Sequence, residues 1–560
     1  MDNYQIADNF SLLSKLMDVH KENSFKSKSY SIAARNIDKL QVQLEGLAHE
    51  KIFSFPGIGE AIGKKIIEML ETGKIKVLEE LIQKTPAGVL EMLQIKGLGP
   101  KKISVIWNDM GIENMGELLY ACHENRLLTY TGFGEKTQNN IIEAIGFYQQ
   151  KQGHYLYAQV EELAGQLQKH LVKISGVKNI FITGAFNRQE ETIDELEYII
   201  SSSADTIKQK LRAHPEFLFN LELPGELLYK YDDRIKVRLF CINDENPAEK
   251  LFFTTGATPF LEAFKKEHSI MIFEKNEDEL SFFHRAKLQF IPACLRENDL
   301  ILQKAKNGGI KKLIEPKDIK GIIHSHSNWS DGVNTLEELA KGCIDKGFEY
   351  LVISDHSKAA FYANGLSEEK IIEQHELIAT LNKKYAPFKI FKSIESDILN
   401  DGNLDYGNDL LSAFDLVIAS VHSNLKMNEE KAMMRLLKAI ENPYTTILGH
   451  MTGRLLLSRK GFPVDHLKLI DACAANDVVI ELNAHPRRLD MRWQWIQHAF
   501  EKGVLISIDP DAHSIPEFEN IKYGVLAAQK GMVSKENNLS SFTLEKFEKF
   551  LSDRKTKKGI

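Results

Sequence analysis

Cysteine is scarce in this chain of 560 residues: Cys122, Cys241, Cys294, Cys343 and Cys473 lie far apart and none forms a CxxC pair. That spacing argues against a disulfide framework and a thiolate metal site, and suits reduced thiols in a cytoplasm. Long apolar runs are missing too; none approaches the ~18 residues needed to span a bilayer. The opening MDNYQIADNF has neither a basic n-region nor an apolar h-region, so no export signal is expected. Nor is there an excess of positive charge. The net charge is −7, and the first hundred residues hold 13 basic against 13 acidic side chains. A broad basic grip on nucleic acid is thereby excluded, and any such contact must be local and shaped.

The chain is long enough for three or four domains, and its composition is ordinary for a globular protein, 43% hydrophobic and 27% charged. Residues 1–150 read as helices joined by glycine turns, with apolar residues at helical spacing in IADNFSLLSKLMDVH and AIGKKIIEMLETG. Three turns share one pattern, hydrophobic-Gly-hydrophobic-Gly opening a helix: FPGIGEAIGKKI, IKGLGPKKI and TGFGEKTQNNII. Their glycines are Gly57 and Gly59, Gly97 and Gly99, Gly132 and Gly134; paired lysines follow the first two, Lys64 with Lys65 and Lys101 with Lys102. From about 155 to 300 strand-like runs (NIFIT, LEYII, IKVRLFCI, LFFTT) lie between helices. NGGIKKLIEPKD has the composition of a linker. After it, apolar strands alternate with helices, as in a parallel βα architecture. The tail SDRKTKKGI is polar and expected to fray.

The strongest signal lies in the last third. His324 and His326 follow IKGII, and Asp331 follows in WSDG. His356, Glu395, His422 and His450 each stand at the end of a strand-like run, and Asp511 and His513 follow GVLISID. Strand carboxyl ends of a βα barrel converge on one face, where active sites form. A single histidine of this kind is usually an ordinary core or surface residue. Six imidazoles and three carboxylates at successive strand ends form a ligand set for two or three divalent ions, with donors that suit zinc, manganese or iron better than magnesium alone. Arg454, Arg459 and Arg488 are candidate phosphate contacts, although each also suits a solvated helix start.

The blocks HSH, WSDG, SDHS, the strand-end Glu, SVHS, LGH and DAH resemble the PHP (polymerase and histidinol phosphatase) family, and all nine positions of that family's cluster have a counterpart. The resemblance implies a distorted βα barrel that hydrolyses phosphoesters with bound metals, the same nine residues serving as catalytic and metal ligands. The glycine turns resemble helix-hairpin-helix motifs, whose backbone amides meet DNA phosphates at a helix N-terminus and position a duplex without reading it.

With LQFIPACLREN, the whole chain resembles bacterial family X DNA polymerases that carry a C-terminal PHP domain. The implied architecture is multidomain α/β: a helical DNA-end-binding domain over 1–85, a fingers-like region over 86–150, and a nucleotidyltransferase-like palm and thumb over 151–306. A linker over 307–317 and a PHP domain over 318–560 complete it. The implied partner is DNA with gaps, nicks or 3′ ends; no membrane or protein partner is expected. Lys65 falls where some relatives carry a Schiff-base lysine, though a phosphate-binding role suits it too. The palm departs from the family. GAFNRQEETIDELEYII supplies Gly184, Ala185, Asn187, Arg188, Glu191 and Thr192, but Glu195 and Glu197 stand where two aspartates belong. Lys236 replaces the third catalytic aspartate. The expectation is a DNA-repair protein whose PHP domain is a 3′–5′ exonuclease or phosphodiesterase and whose polymerase centre is degenerate. The alternatives are an active gap-filling polymerase with PHP proofreading, and a small-molecule phosphatase.

Overall fold

A computed structural model describes residues 1–40, 42–95, 97–150, 153–243, 246–268 and 272–560, with the backbone alone for 147–150. Lys96 of the second glycine turn lies outside them. The chain divides into two compact units, Met1–His123 with Leu127–Tyr148, and Glu124–Arg126 with Gln149–Ile560.

The first unit is helical. Its opening helix α1 (Asn3–Val19) starts on a capping box in which Asp2 and Gln5 satisfy each other's backbone N–H groups. Ile6, Phe10, Leu13 and Leu16 recur on one face of α1 and are fully buried, mainly against α2 (Ser24–Asp38). Each of the three glycine turns opens a helix: α3 (Glu60–Thr72), α4 (Pro100–Asn108) and α5 (Glu135–Gln150). Gly57, Gly97 and Gly132 sit at φ +82°, +88° and +92°, in the left-handed region that side chains disfavour. At Gly57 space matters as well, since a Cβ there would lie 2.2 Å from the Asn36 side-chain nitrogen.

In the second unit, helix α6 (Tyr157–Ser175) packs against a five-stranded mixed sheet. Its strands are β1 (Ile180–Thr183), β2 (Glu195–Ser201), β3 (Phe217–Leu223), β4 (Glu226–Tyr231) and β5 (Ile235–Ile242), in the order β1-β2-β5-β4-β3. Only the β2–β5 pairing is parallel. LFFTT, read as a strand, is instead the end of helix α7 (Pro247–Thr255). The Asn246 side chain caps that helix and Pro247 supplies a preset φ at its first position, which outweighs the strand propensity of two phenylalanines and two threonines. Phe252 then anchors an aromatic core with Phe260, Phe264, Phe282 and Phe283.

A seven-stranded parallel barrel completes the unit: β6 (Gly321–Ser325), β7 (Tyr350–Ile353), β8 (Lys389–Asp397), β9 (Leu416–Ser420), β10 (Thr445–Leu448), β11 (Val479–Asn483) and β12 (Ile506–Asp509), paired in sequence order. A bridge between Ser325 and Ala512 nearly closes it. The strands are buried on both faces and their cores are mostly apolar. Two sequence expectations fail here. The segment read as a linker is docked: Ile314 is fully buried in the barrel core and its N–H reaches the Val533 carbonyl. The tail does not fray, because helix α8 (Leu544–Lys558) carries a buried Arg554 that donates to the carbonyls of Pro443, Thr445 and Asp477. Among the described residues, no helix is long and apolar enough to cross a membrane.

Candidate metal centre

The barrel's carboxyl ends gather all nine expected ligands, and every one is buried or nearly so. Backbone irregularity aims two of them. The pairing of β6 with β7 shifts register between Ile322 and Ser325, and His324 within that bulge has φ +60°. Asp511, just past β12, has φ +51°. Such conformations cost a non-glycine residue about 1–3 kcal/mol and persist where the surroundings over-determine them.

Glu395 is the hub. Its Oε1 lies 2.8 Å from His450 Nε2, 3.1 Å from His422 Nε2 and 3.3 Å from His324 Nε2. Its Oε2 lies 3.0 Å from His356 Nδ1. Asp331 sits 3.4 Å from His356 Nε2 and 3.5 Å from His513 Nε2. Asp511 Oδ1 sits 3.1 Å from His326 Nε2 and 3.4 Å from His324 Nε2. Two donors on one tetrahedral ion at 2.0–2.1 Å stand roughly 3.3 Å apart, so these separations suit shared cations. Three overlapping groups result: His326, Asp331, His356 and His513; His324, His326 and Asp511; His356, Glu395 and His422. His324 Nε2, both His356 nitrogens, Glu395 Oε2, Asp331 Oδ2 and His513 Nε2 are buried without a hydrogen-bond partner. Orphaned polar atoms at this density are costly, and the residues fit a divalent cluster.

The electrostatics agree. Burial opposes charge on His324, but Asp511, Glu481 and Glu395 outweigh it and hold its pKa well above the usual imidazole value. Burial likewise opposes charge on His422 and His513, yet neighbouring carboxylates, led by Glu395 and Asp331 respectively, raise them to about 9 and about 10. His326 goes the other way, to about 4, through burial with His513 and His356 beside it. Burial resists ionisation of Glu395, Asp331 and Asp511, but the surrounding imidazoles hold all three well below the usual carboxylate range.

An outer shell escaped the sequence reading. Glu481 Oε1 pairs with His324 Nδ1 at 3.0 Å and its Oε2 accepts the His450 N–H at 2.7 Å. Asp397 lies 3.3 Å from His422 Nδ1. Both carboxylates occupy the nitrogen that faces away from the cluster, fixing tautomer and ring orientation. The available signals were an acid inside the apolar run VVIELN, and strand alternation that puts Asp397 on the same face as Glu395.

The three arginines fare differently. Arg454 donates to the Arg488 and Leu489 carbonyls and pairs with Glu191 at 2.6 Å. Arg459 donates to the Gly453 carbonyl. Arg488 alone stands at the cluster, 3.7 Å from Asp511 Oδ2 and 3.5 Å from Glu124.

In the sheet, Glu195, Glu197, Lys236 and Arg238 share one face, with Glu195 in register with Lys236 and Glu197 with Arg238. Arg238 Nε holds Glu195 Oε1 at 2.7 Å while also binding Glu226. Glu197 folds over Gly184 and accepts the Ala185 N–H at 3.2 Å. Burial, and then Glu195, raise its pKa. In the first unit, Gly59 and Gly99 occupy the N-cap positions of α3 and α4, and α5 starts directly after Gly134. Lys64 is exposed and pairs with Glu60 at 2.5 Å, Lys65 is half-buried, Lys101 is exposed, and Lys102 lies 3.3 Å from Thr137 Oγ1.

Three family models match parts of the chain. Residues 1–75 match a helix-hairpin-helix domain, 89–146 a SAM-like helix-hairpin-helix tandem, and 323–511 the PHP domain. The chain is 31% identical over 557 residues to the DNA polymerase/3′-5′ exonuclease PolX of Bacillus subtilis (strain 168), covering 96% of each. It is 24% identical over 257 residues to a probable phosphatase of Thermoanaerobacter sp. (strain X514), covering 42% of this chain and 96% of that protein. A probable phosphatase of Caldanaerobacter subterraneus subsp. tengcongensis is 26% identical over 207 residues, 34% of this chain and 74% of that protein.

Proposed function

The chain belongs to the bacterial PolX family, family X polymerases with helix-hairpin-helix domains and a C-terminal PHP domain, and from that membership we propose that it is a metal-dependent 3′–5′ exonuclease or phosphodiesterase on DNA ends whose palm no longer transfers nucleotides. The observation that carries this reading is the contrast between its two centres. The barrel brings all nine candidate ligands together, with several of their polar atoms buried and lacking a hydrogen-bond partner, whereas the palm-like face sets Lys236 and Arg238 among its two carboxylates.

Divalent ions in such a cluster supply nucleophile activation and neutralise phosphoryl charge. His324, His326, Asp331, His356, Glu395, His422, His450, Asp511 and His513 would hold them, with zinc, manganese or iron suited to the donors. Glu481 and Asp397 orient the rings. Arg488, paired with Glu124, is our choice for a phosphoryl oxygen because it is the one of the three arginines that borders the cluster, 3.7 Å from Asp511. The glycine turns with Lys64, Lys65, Lys101 and Lys102 would bring gapped or nicked duplex to the enzyme through backbone amides and phosphate charge.

The palm lacks what nucleotidyl transfer needs. Magnesium demands near-ideal octahedral geometry, and each Asp-to-Glu change moves a carboxylate by about one bond length. A displacement of about 1 Å already costs on the order of a hundredfold. Lys236 adds a cation where the family has an anion.

The test uses gapped duplex labelled at either end, with manganese, with and without dNTPs. Wild-type protein should shorten 3′ ends, His324→Ala should not, and neither should extend a primer. Wild-type degradation by His324→Ala would refute the barrel assignment. Templated extension by His324→Ala that vanishes when Glu195→Ala is added would restore the polymerase.

A further inference from the structure

Away from the barrel, three potential ligands meet at one end of the palm-like sheet. His170 lies near the end of α6, and His214 and Glu216 lie in the turn that leads into edge strand β3. That turn is fixed: the Phe217 N–H donates to the His214 carbonyl at 3.0 Å with Pro215 inside it, and the Asp232 N–H donates to the Glu216 carbonyl at 2.9 Å. The His170 ring packs against Phe217 and Tyr231, at 5.9 and 6.5 Å between centroids. Both imidazoles address one carboxylate oxygen. Glu216 Oε1 is 3.4 Å from His170 Nε2 and 3.1 Å from His214 Nδ1, and one ligand atom from each residue falls within 4.8 Å of the others. Each nitrogen thus stands 3.1–3.4 Å from the shared oxygen, the separation of two ligands on one tetrahedral ion with bonds of about 2.0–2.1 Å. All three side chains are partly exposed, which leaves a fourth position to water.

We propose that His170, His214 and Glu216 form a divalent transition-metal site, best suited to Zn²⁺, that ties the end of α6 to edge strand β3. Two imidazoles and one carboxylate are borderline donors, favouring zinc over magnesium or calcium. The site has a mechanical consequence. Among the described residues β3 pairs only with β4, and it exposes Leu218, Phe219, Leu221 and Leu223, so an ion held just before its first residue would restrain an otherwise one-sided strand. This site is independent of the hydrolytic reading, since none of its ligands belongs to the barrel.

The test uses full-length protein stripped with chelator, then equilibrated with Zn²⁺ and freed of excess. Wild-type protein should retain one more zinc per chain than His170→Ala or Glu216→Gln, while all three hydrolyse DNA alike, which also reports that the variants fold. Amide exchange in 217–223 should slow when Zn²⁺ is added to the wild type, by up to about a hundredfold at about 100 times the dissociation constant, and not in the variants. Equal zinc content in all three proteins would overturn the proposal. So would exchange in 217–223 of the wild-type protein that ignores Zn²⁺, a result that needs no variant.

Discussion

Glu481→Gln isolates the outer shell of the metal centre, because it keeps size and shape while changing one oxygen to an amide. Glu481 Oε1 faces His324 Nδ1 and the Asn483 side-chain amide, each at 3.0 Å, and Oε2 faces the His450 N–H at 2.7 Å. With His324 Nε2 directed into the cluster, Nδ1 carries the proton, so both glutamate oxygens receive donors. A glutamine has only one acceptor oxygen, and its NH₂ must confront a donor on one side or the other. If it confronts His450, the strand end carrying that ligand shifts; if it confronts His324, the tautomer that presents Nε2 is disfavoured. Loss of such an outer partner typically costs about 10–100-fold in metal affinity or activity, or roughly 1.4–2.7 kcal/mol. The assay pairs metal content after dialysis with turnover on a 3′-labelled duplex in manganese, and circular dichroism reports on the fold. Unchanged metal content and turnover would refute the claim that this carboxylate orients His324 and His450.

Three further outcomes follow from the same geometry. Asp511→Ala should abolish hydrolysis with the fold retained, checked by turnover and thermal melting. Chelated protein should lose stability as pH rises from about 6.5 toward 10, because His422 and His513 have folded pKa values of about 9 and about 10, above the unfolded imidazole value of about 6.5. Their contribution is complete below the unfolded value and disappears through the folded ones; metal-loaded protein should reverse the trend, since ligation requires the deprotonated rings, and melting curves with and without chelator compare the two. Replacing Lys64, Lys65, Lys101 and Lys102 by alanine should weaken duplex binding and flatten the slope of log affinity against log salt by about 0.9 for each DNA phosphate that is no longer neutralised, measured by anisotropy across a salt series.

The candidate barrel ligands were legible because most of them lie at or just beyond the end of a short, largely apolar strand, and strand ends in a parallel barrel meet. Glu481 was not, since a buried strand on both faces reads as one apolar run, and a single acid within it gives no hint of which ring it supports. The helix over LFFTT was misread for a related reason. Phe252 is fully buried and Phe253 half-exposed, an alternation that suits a strand as well as one helix turn, and the deciding signal was the Asn-Pro cap before it. Arg454 shows a different limit. Its place beside the cluster in sequence suggested phosphate, but its partners are Glu191 and the Arg488 and Leu489 carbonyls, which only the packed chain brings within reach.

Those partners also bear on why a palm persists without its aspartates. Arg188, the retained arginine of the nucleotide motif, donates to the Thr255 carbonyl and pairs with Glu297 at 3.3 Å. Lys530, a buried cation on the barrel side, reaches the Arg188 carbonyl at 2.8 Å, Glu297 at 2.5 Å and Glu190 at 3.5 Å, and lies over the Trp493 ring. Glu191, the motif's next acid, holds Arg454. Breaking a buried pair from one side costs about 3–5 kcal/mol, because the other charge is stranded. Arg188, Glu190 and Glu191 therefore bind the palm-like sheet to the barrel whether or not a nucleotide ever reaches them, while Ala185, Glu195 and Lys236 take no part in that network. On the proposed function, Arg188 and Glu191 keep a structural duty beside the hydrolytic barrel that does not depend on nucleotidyl transfer.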